Sequence, residues 1–224
     1  MRSPAWHRSS TAGRLPKSRS SNGAIIAAAQ SLYSDRRYEE VTMAAIARAA
    51  AVGKGTVFFY FGTKEALFLA CARGEIESFF ADLERALAGH PTPSGREAVV
   101  AGLGATIDAH PAIVRILGLV HVVLEHNVTF EAALEFRRAL IPLLSRVGEQ
   151  WERHLSFLTE GEGARLLLRV HAMALGFAQL ADPSPTLRRV QEQPGMELYD
   201  VDFRSALLDS VELVIRGAQQ RARA

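Results

Sequence analysis

One cysteine, Cys71, stands in 224 residues, so no disulfide can form within the chain and a reducing compartment is expected. No apolar run approaches the length of a membrane span. The N-terminal stretch MRSPAWHRSSTAGRLPKSRSSNG has no apolar segment of the kind a secretory signal needs. A soluble, cytoplasmic protein with no membrane partner is therefore expected. Strand-like alternation and clusters of β-branched residues are scarce while Ala and Leu are abundant, which predicts an all-α fold. The patterns G-x-S-x-G, H-E-x-x-H and Cys-x-x-Cys are absent, as is a Gly-rich phosphate loop. Nothing thus points to an enzyme, and no catalytic residue, metal or cofactor is expected. A basic amphipathic helix, the mark of a membrane-surface protein, is missing too.

What is present is unevenly spread. Residues 1–64 carry ten Lys or Arg against Asp35, Glu39 and Glu40, whereas the remaining 160 residues carry 16 basic and 21 acidic side chains. The split suggests a basic module for a polyanion and a more acidic module with another task. Five of the ten basic residues precede Ser20, in a Ser-, Arg- and Pro-rich stretch with little to bury. Residues 1–20 read as a mobile basic arm.

Helical patterns fill the rest. Ser21 or Asn22 can cap a first helix with Ile25, Ala28, Ala29 and Leu32 on one face, closed by Arg36 and Arg37. Thr42 can cap a second through about Ala50, and a short third runs from about Lys54 to Tyr60. Gly62 and Thr63 end the third and start a long fourth toward Leu87. Gly89–Gly95, GHPTPSG, is a breaker. Further helices are predicted over about 95–109, 111–126, 131–157, 163–181 and 202–219. Pro142 should bend or split the third of these, and 183–200 should be irregular.

The stretch TMAAIARAAAVGKGTVFFYF, Thr42–Phe61, places two short helices around a tight turn, the sequence form of a helix-turn-helix. Four adjacent rings, Phe58 to Phe61, cannot all be buried by one short helix. The run T-x-x-x-I-A, then A-x-V-x-K-G-T-x-x-x-Y-F, then x-x-K-E-A-L, is continuous from Thr42 to Leu67. On these residues, 22–70 resemble the N-terminal DNA-binding domain of the TetR family of transcriptional regulators. The resemblance implies an N-terminal three-helix helix-turn-helix domain over 21–66. A larger helical domain over 67–224 would bind a small-molecule effector and form a homodimer. It implies double-stranded operator DNA as partner, with Thr42, Lys54, Gly55, Thr56, Phe58, Phe59, Tyr60 and Lys64 at the interface. Phe61 and Val57 would face the core. A repressor released from a palindromic operator by a hydrophobic effector is the implied function; an activator, or a regulator that answers no ligand, is the alternative.

Four positions depart from the family pattern. Gly53 stands where a capping Ser is usual, Phe58 where Tyr is frequent, and Ala44 where many members carry Arg. Ala51 stands where a turn Gly is common, so the turn either avoids positive φ or accepts strain. Hydrogen-bond readout is thereby thinned to Lys54 and Thr56, and the basic arm is expected to reach the minor groove.

In the acidic half the middle helices offer candidate pocket residues: Ile107, Leu117, His121, Leu124, Glu125, Phe130, Phe136, Trp151, His154 and Phe177. His121 and Glu125, four apart, read either as a surface ion pair or as an anchor for a ligand or metal, without a third metal ligand fixed by spacing. Cys71 reads as a buried structural thiol. Candidate dimer faces are Leu166, Leu167, Val170, Met173, Ala174 and Phe177 on one helix, and Leu207, Leu208, Val211, Val214 and Ile215 on the last.

Overall fold

The computed structural model describes residues 20–92, 94–124 and 127–223. Among them are ten α-helices and no strand. The basic arm and Glu125 lie outside the described residues. The chain divides into two compact units, one ending at Gly62 and one starting at Thr63.

The first unit holds α1 (Ser20–Asp35), α2 (Met43–Ala49) and α3 (Lys54–Phe61). Its core is small: Ile25, Ala29, Val41, Ile46, Ala47 and Val57 are buried. Thr42 opens α2 by accepting the Ala45 N–H through Oγ1 at 3.1 Å. The α2 end is a Schellman motif: the Val52 N–H donates to the Ala47 carbonyl at 3.0 Å and the Ala51 N–H to the Arg48 carbonyl at 3.1 Å. That motif requires a left-handed residue, and Ala51 supplies it at φ 53°. Of the two outcomes open at Ala51, the chain takes the strained one, because two carbonyls at the end of α2 gain donors. Gly62, at φ 66°, ends α3 without such strain, its N–H donating to the Phe58 carbonyl at 2.9 Å.

The second unit holds α4 (Lys64–Ala88), α5 (Gly95–Ala109), α6 (Ala112–Leu119), α7 (Phe130–His154), α8 (Glu162–Ala181), α9 (Pro185–Gln191) and α10 (Phe203–Arg223). A π-helical segment, Val120–Leu124, continues α6. The α4 helix packs on α5, α6 and α7, while α8 packs on α6, α7 and α10. Between them lies a core that includes Leu83, Leu87, Val99, Trp151, Leu166, Val211 and Ile215. Around it, Arg204 donates to both carboxylate oxygens of Asp108 at 2.7 and 3.0 Å, tying α10 to α5.

The α7 and α8 backbones meet at a pair of glycines. A Cβ on Gly148 would lie 2.5 Å from the Ala164 nitrogen, and one on Gly163 would overlap the Gly148 carbonyl. Backbone cannot yield there as a flexible side chain would.

Two expectations are corrected here. The α7 helix runs through Pro142 unbroken, so of the bend or split expected there the split is overturned. Pro142 and Arg138 both lie on its exposed face, where the carbonyl left without a donor is solvated. The region 183–200 is not wholly irregular: Ser184 Oγ accepts the Leu187 N–H at 3.3 Å and Pro185 takes the first-turn position, giving α9.

Two substitutions test these backbone constraints by thermal or urea unfolding. Ala51→Gly should stabilise the protein by about 0.5–1 kcal/mol, the relief of left-handed Ala exceeding the extra chain entropy of Gly. Gly163→Ala should destabilise it by about 2 kcal/mol or more, since an inserted methyl meets backbone.

Candidate nucleic-acid interface and effector cavity

The outer surface of α3 is built from side chains its own core residue leaves free. Val57 is fully buried, which fixes the helix rotation. Phe58 and Phe59, 43% and 76% exposed, are consequently turned to solvent, with Lys54 and Gly55 beside them. Thr56, Tyr60 and Phe61 are half-buried, so Phe61 enters the core only in part. The Lys54 ammonium sits 5.7 Å from the Phe58 ring centroid, within cation–π range. The Phe59 and Tyr60 rings meet edge to face at 5.5 Å. A Cβ at Gly55 would touch nothing within 4 Å, so a second backbone can approach closely there. Thr42 is occupied in part by its capping bond. Gly53 caps α3 without a side-chain bond, as the missing hydroxyl dictates.

Lys64 opens α4 in the second unit, its Nζ 5.9 Å from the Phe68 centroid. Farther along α4, burial pushes the Cys71 thiol up to about 12, which makes it an inert structural group.

Deeper in the second unit is a small apolar cavity of about 80 Å³. Phe79, Phe80 and Leu83 of α4 wall it, with Ile107 of α5, Leu117 of α6, Val170 of α8 and Phe203 of α10. The polar side chain in its lining is His171, whose Nε2 lies 3.0 Å from Nε2 of His121. Its lining is the kind that accepts an apolar group such as part of an alkyl chain.

Of the pocket residues read from the sequence, Ile107 and Leu117 line this cavity, and His121 approaches it through His171. The others among the described residues lie elsewhere. Phe130 is the exposed first residue of α7, Phe177 packs partly buried against the core, and Leu124, Phe136 and Trp151 are sealed inside. His154 is buried with its Nδ1 2.7 Å from Ser94 Oγ, beside a separate shallow groove. Sequence reasoning missed Phe79, Phe80, His171 and Phe203.

The expected dimer stripes are also reassigned. Leu166, Leu167, Val170, Ala174, Leu207, Val211 and Ile215 are buried within the chain, and Met173, Phe177, Leu208 and Val214 pack on the same core. The outward apolar residues of these helices are instead Leu168, Leu180 and Leu213, with Ala172 and Gly176 exposed between them.

One wall of the cavity is held by a charge latch. The α5–α6 corner bends by 86°, and His110 sits at it. Its Nδ1 lies 3.0 Å from Glu75 and its Nε2 2.9 Å from Asp82, both carboxylates on α4. Satisfying both requires two N–H donors, hence an imidazolium. Burial opposes that charge, but the bonds to Asp82 and Glu75 outweigh it and raise His110 above its ordinary value of 6.5. Asp82 is held below its ordinary 3.8 by the His110 bond first, against a smaller desolvation effect, with Arg85 helping. Phe79 meets the His110 ring edge to face at 5.6 Å, linking latch and cavity wall.

A solvent-facing short helix behind a tight turn, with a separate helical unit around an apolar cavity, is the division of labour of helix-turn-helix regulators. Residues 25–71 match the family model described as bacterial regulatory proteins, tetR family, and residues 73–222 match the tetracyclin repressor-like C-terminal domain. The chain belongs to the TetR family of DNA-binding transcriptional regulators. No curated protein is significantly similar to it in sequence. Among solved structures it is similar to the TetR-family repressor FadR of Thermus thermophilus in complex with lauroyl-CoA. That match has 21% identity and a TM-score of 0.58, over 87% of this chain and 93% of that one. FadR of Bacillus subtilis in complex with stearoyl-CoA matches at 18% identity and a TM-score of 0.55, over 86% and 96%. The repressor AlkX of a Dietzia strain, implicated in biodegradation of n-alkanes, matches at 21% and 0.55, over 93% and 98%.

The latch predicts a pH dependence of stability. Because the folded value of His110 is raised, its contribution is complete below about pH 6.5 and is lost as pH rises through the folded value. Asp82, lowered, contributes above its ordinary value and ceases to as pH falls through the folded one. Urea unfolding between about pH 6 and pH 9 should show stability falling on the alkaline side. His110→Gln should abolish that fall.

Proposed function

We propose that this regulator is a homodimeric repressor that an alkyl-chain effector releases from a palindromic operator. The observation that carries the reading is the carbon-lined cavity of the second unit. An apolar tail entering it would gain about 25 cal/mol for each Å² removed from water. The complexes of the two FadR proteins with lauroyl-CoA and stearoyl-CoA support an acyl tail as the occupant.

The DNA-binding half of the reading uses Lys54, Gly55, Thr56, Phe58 and Phe59 in the major groove. Tyr60 and Lys64 contact phosphates, Thr42 lies at the edge of the interface, and the basic arm reaches the minor groove. One eight-residue helix buries too little for specific binding, which favours two copies on half-sites about 34–36 Å apart or a multiple of that. The outward residues Leu168, Ala172, Gly176 and Leu213 offer a surface for the two-fold contact, small residues allowing close helix approach. An effector that prefers a conformer with misplaced recognition helices lowers DNA affinity by its coupling free energy, typically about 1–3 kcal/mol.

Operator fragments selected from genomic DNA provide the assay. Lauroyl-CoA or stearoyl-CoA added to the complex should weaken DNA binding about 5- to 150-fold. Ala174→Leu, which fills the cavity, should abolish the response while leaving DNA affinity intact. Intact DNA binding with no release by either compound would favour a regulator that answers no acyl ligand. In the same assay Lys64→Ala should lower the salt slope by about one, and deleting residues 1–19 should lower both slope and affinity.

A further inference from the structure

The recognition helix offers DNA more carbon than hydrogen-bonding capacity. Around its outer face, Lys54 is the exposed polar side chain and Thr56 is half-buried, whereas Phe58 and Phe59 project two phenyl rings. We propose that these two rings read thymine, each through contact with a C5 methyl group in the major groove. Phe58 and Phe59 are then the specificity-determining residues of the half-site. This rests on the reading of α3 as the helix that enters the groove.

Three observations carry it. First, the rings are aimed outward by the backbone, because Val57 between Thr56 and Phe58 is fully buried and leaves α3 no freedom to rotate. Second, each ring has a neighbour that favours one orientation. Tyr60 stands edge-on to Phe59 at an interplanar angle of 79°, and the Lys54 ammonium lies over Phe58. Each contact lowers the side-chain entropy that docking would have to remove. Third, the chemistry selects one base. In the major groove, thymine alone presents a carbon group. A phenyl ring set against guanine, cytosine or adenine covers donors and acceptors it cannot satisfy, at the cost of their lost hydration. Phe58 has no hydroxyl, so it cannot redirect itself to a phosphate as a tyrosine there would. Lys54, beside Phe58, leaves room for one guanine or phosphate contact next to the thymines.

Selection from random sequence tests this without a known operator. Full-length protein selects duplexes from a random-sequence library, and thymine should be enriched within each half-site. Replacing those thymines by deoxyuridine removes only the methyl groups. Affinity should fall roughly fourfold for each methyl lost from a ring contact. Phe59→Ala should bind more weakly and lose its share of the thymine-to-deoxyuridine difference, while Phe59→Leu should retain part of it. Because Phe59 is exposed, neither change removes core, and an unaltered unfolding curve confirms it. Equal affinity for the two duplexes, or half-sites free of enriched thymine, would overturn the proposal while leaving α3 as a DNA-binding helix. Failure to select any duplex would overturn the DNA-binding reading beneath it as well.

Discussion

The DNA-facing surface of this regulator rests on a helix too short to stand alone. Eight residues fall well below the length at which an isolated helix is stable in water. Gly55 and the β-branched Thr56 weaken it further, and its N-cap is a glycine with no side chain to bond the first turn. What holds α3 in place is tertiary: one fully buried valine, the small residues of α2 beside it, and a turn that admits no slack. The strained φ of Ala51 belongs to this account. A left-handed alanine costs about 1–2 kcal/mol, and the chain tolerates it because two α2 carbonyls are thereby satisfied and α3 leaves the turn in a fixed direction. Position and rigidity come from neighbours, not from helix propensity.

The second unit is built the opposite way. Its principal helices, α4, α7, α8 and α10, run 20–25 residues, its core is extensive, and two backbones touch where Gly148 meets Gly163. Within that firm frame the cavity is walled on one side by the α5–α6 corner, which hangs on α4 through a buried imidazolium and two carboxylates. The three charged groups of this attachment depend on one another, since removing one strands the others. Phe79 touches both His110 and the cavity, so the corner and the cavity share a wall.

Much of this was legible from the residues because it is set locally. Thr42, Lys54, Gly62 and Thr63 mark helix boundaries through caps and backbone preference, and the structure places the boundaries there within a residue. The break at GHPTPSG is legible for the same reason. The cavity was less so. Trp151 and Phe177 look like pocket residues because they are large and apolar, but no spacing separates a side chain beside a void from one in close packing. Phe79, Phe80, His171 and Phe203 come from three helices far apart in sequence, and only packing assembles them. The outward stripe on α8 and α10 was likewise masked, because hydrophobic periodicity reports the inward face first. Pro142 misled because propensity ignores which side of a helix meets water, and Pro185 because a proline after serine reads equally as turn or helix start.

The central claim is that α3 is a formed, rigid element before DNA arrives. Native-state hydrogen exchange on the free protein measures that. The account predicts that the Val57, Gly62 and Val52 amides, bonded to Gly53, Phe58 and Ala47, exchange together with those of α2 and only by opening of the whole first unit. Exchange of the α3 amides at the rate of an unstructured peptide, with α2 still protected, would contradict it.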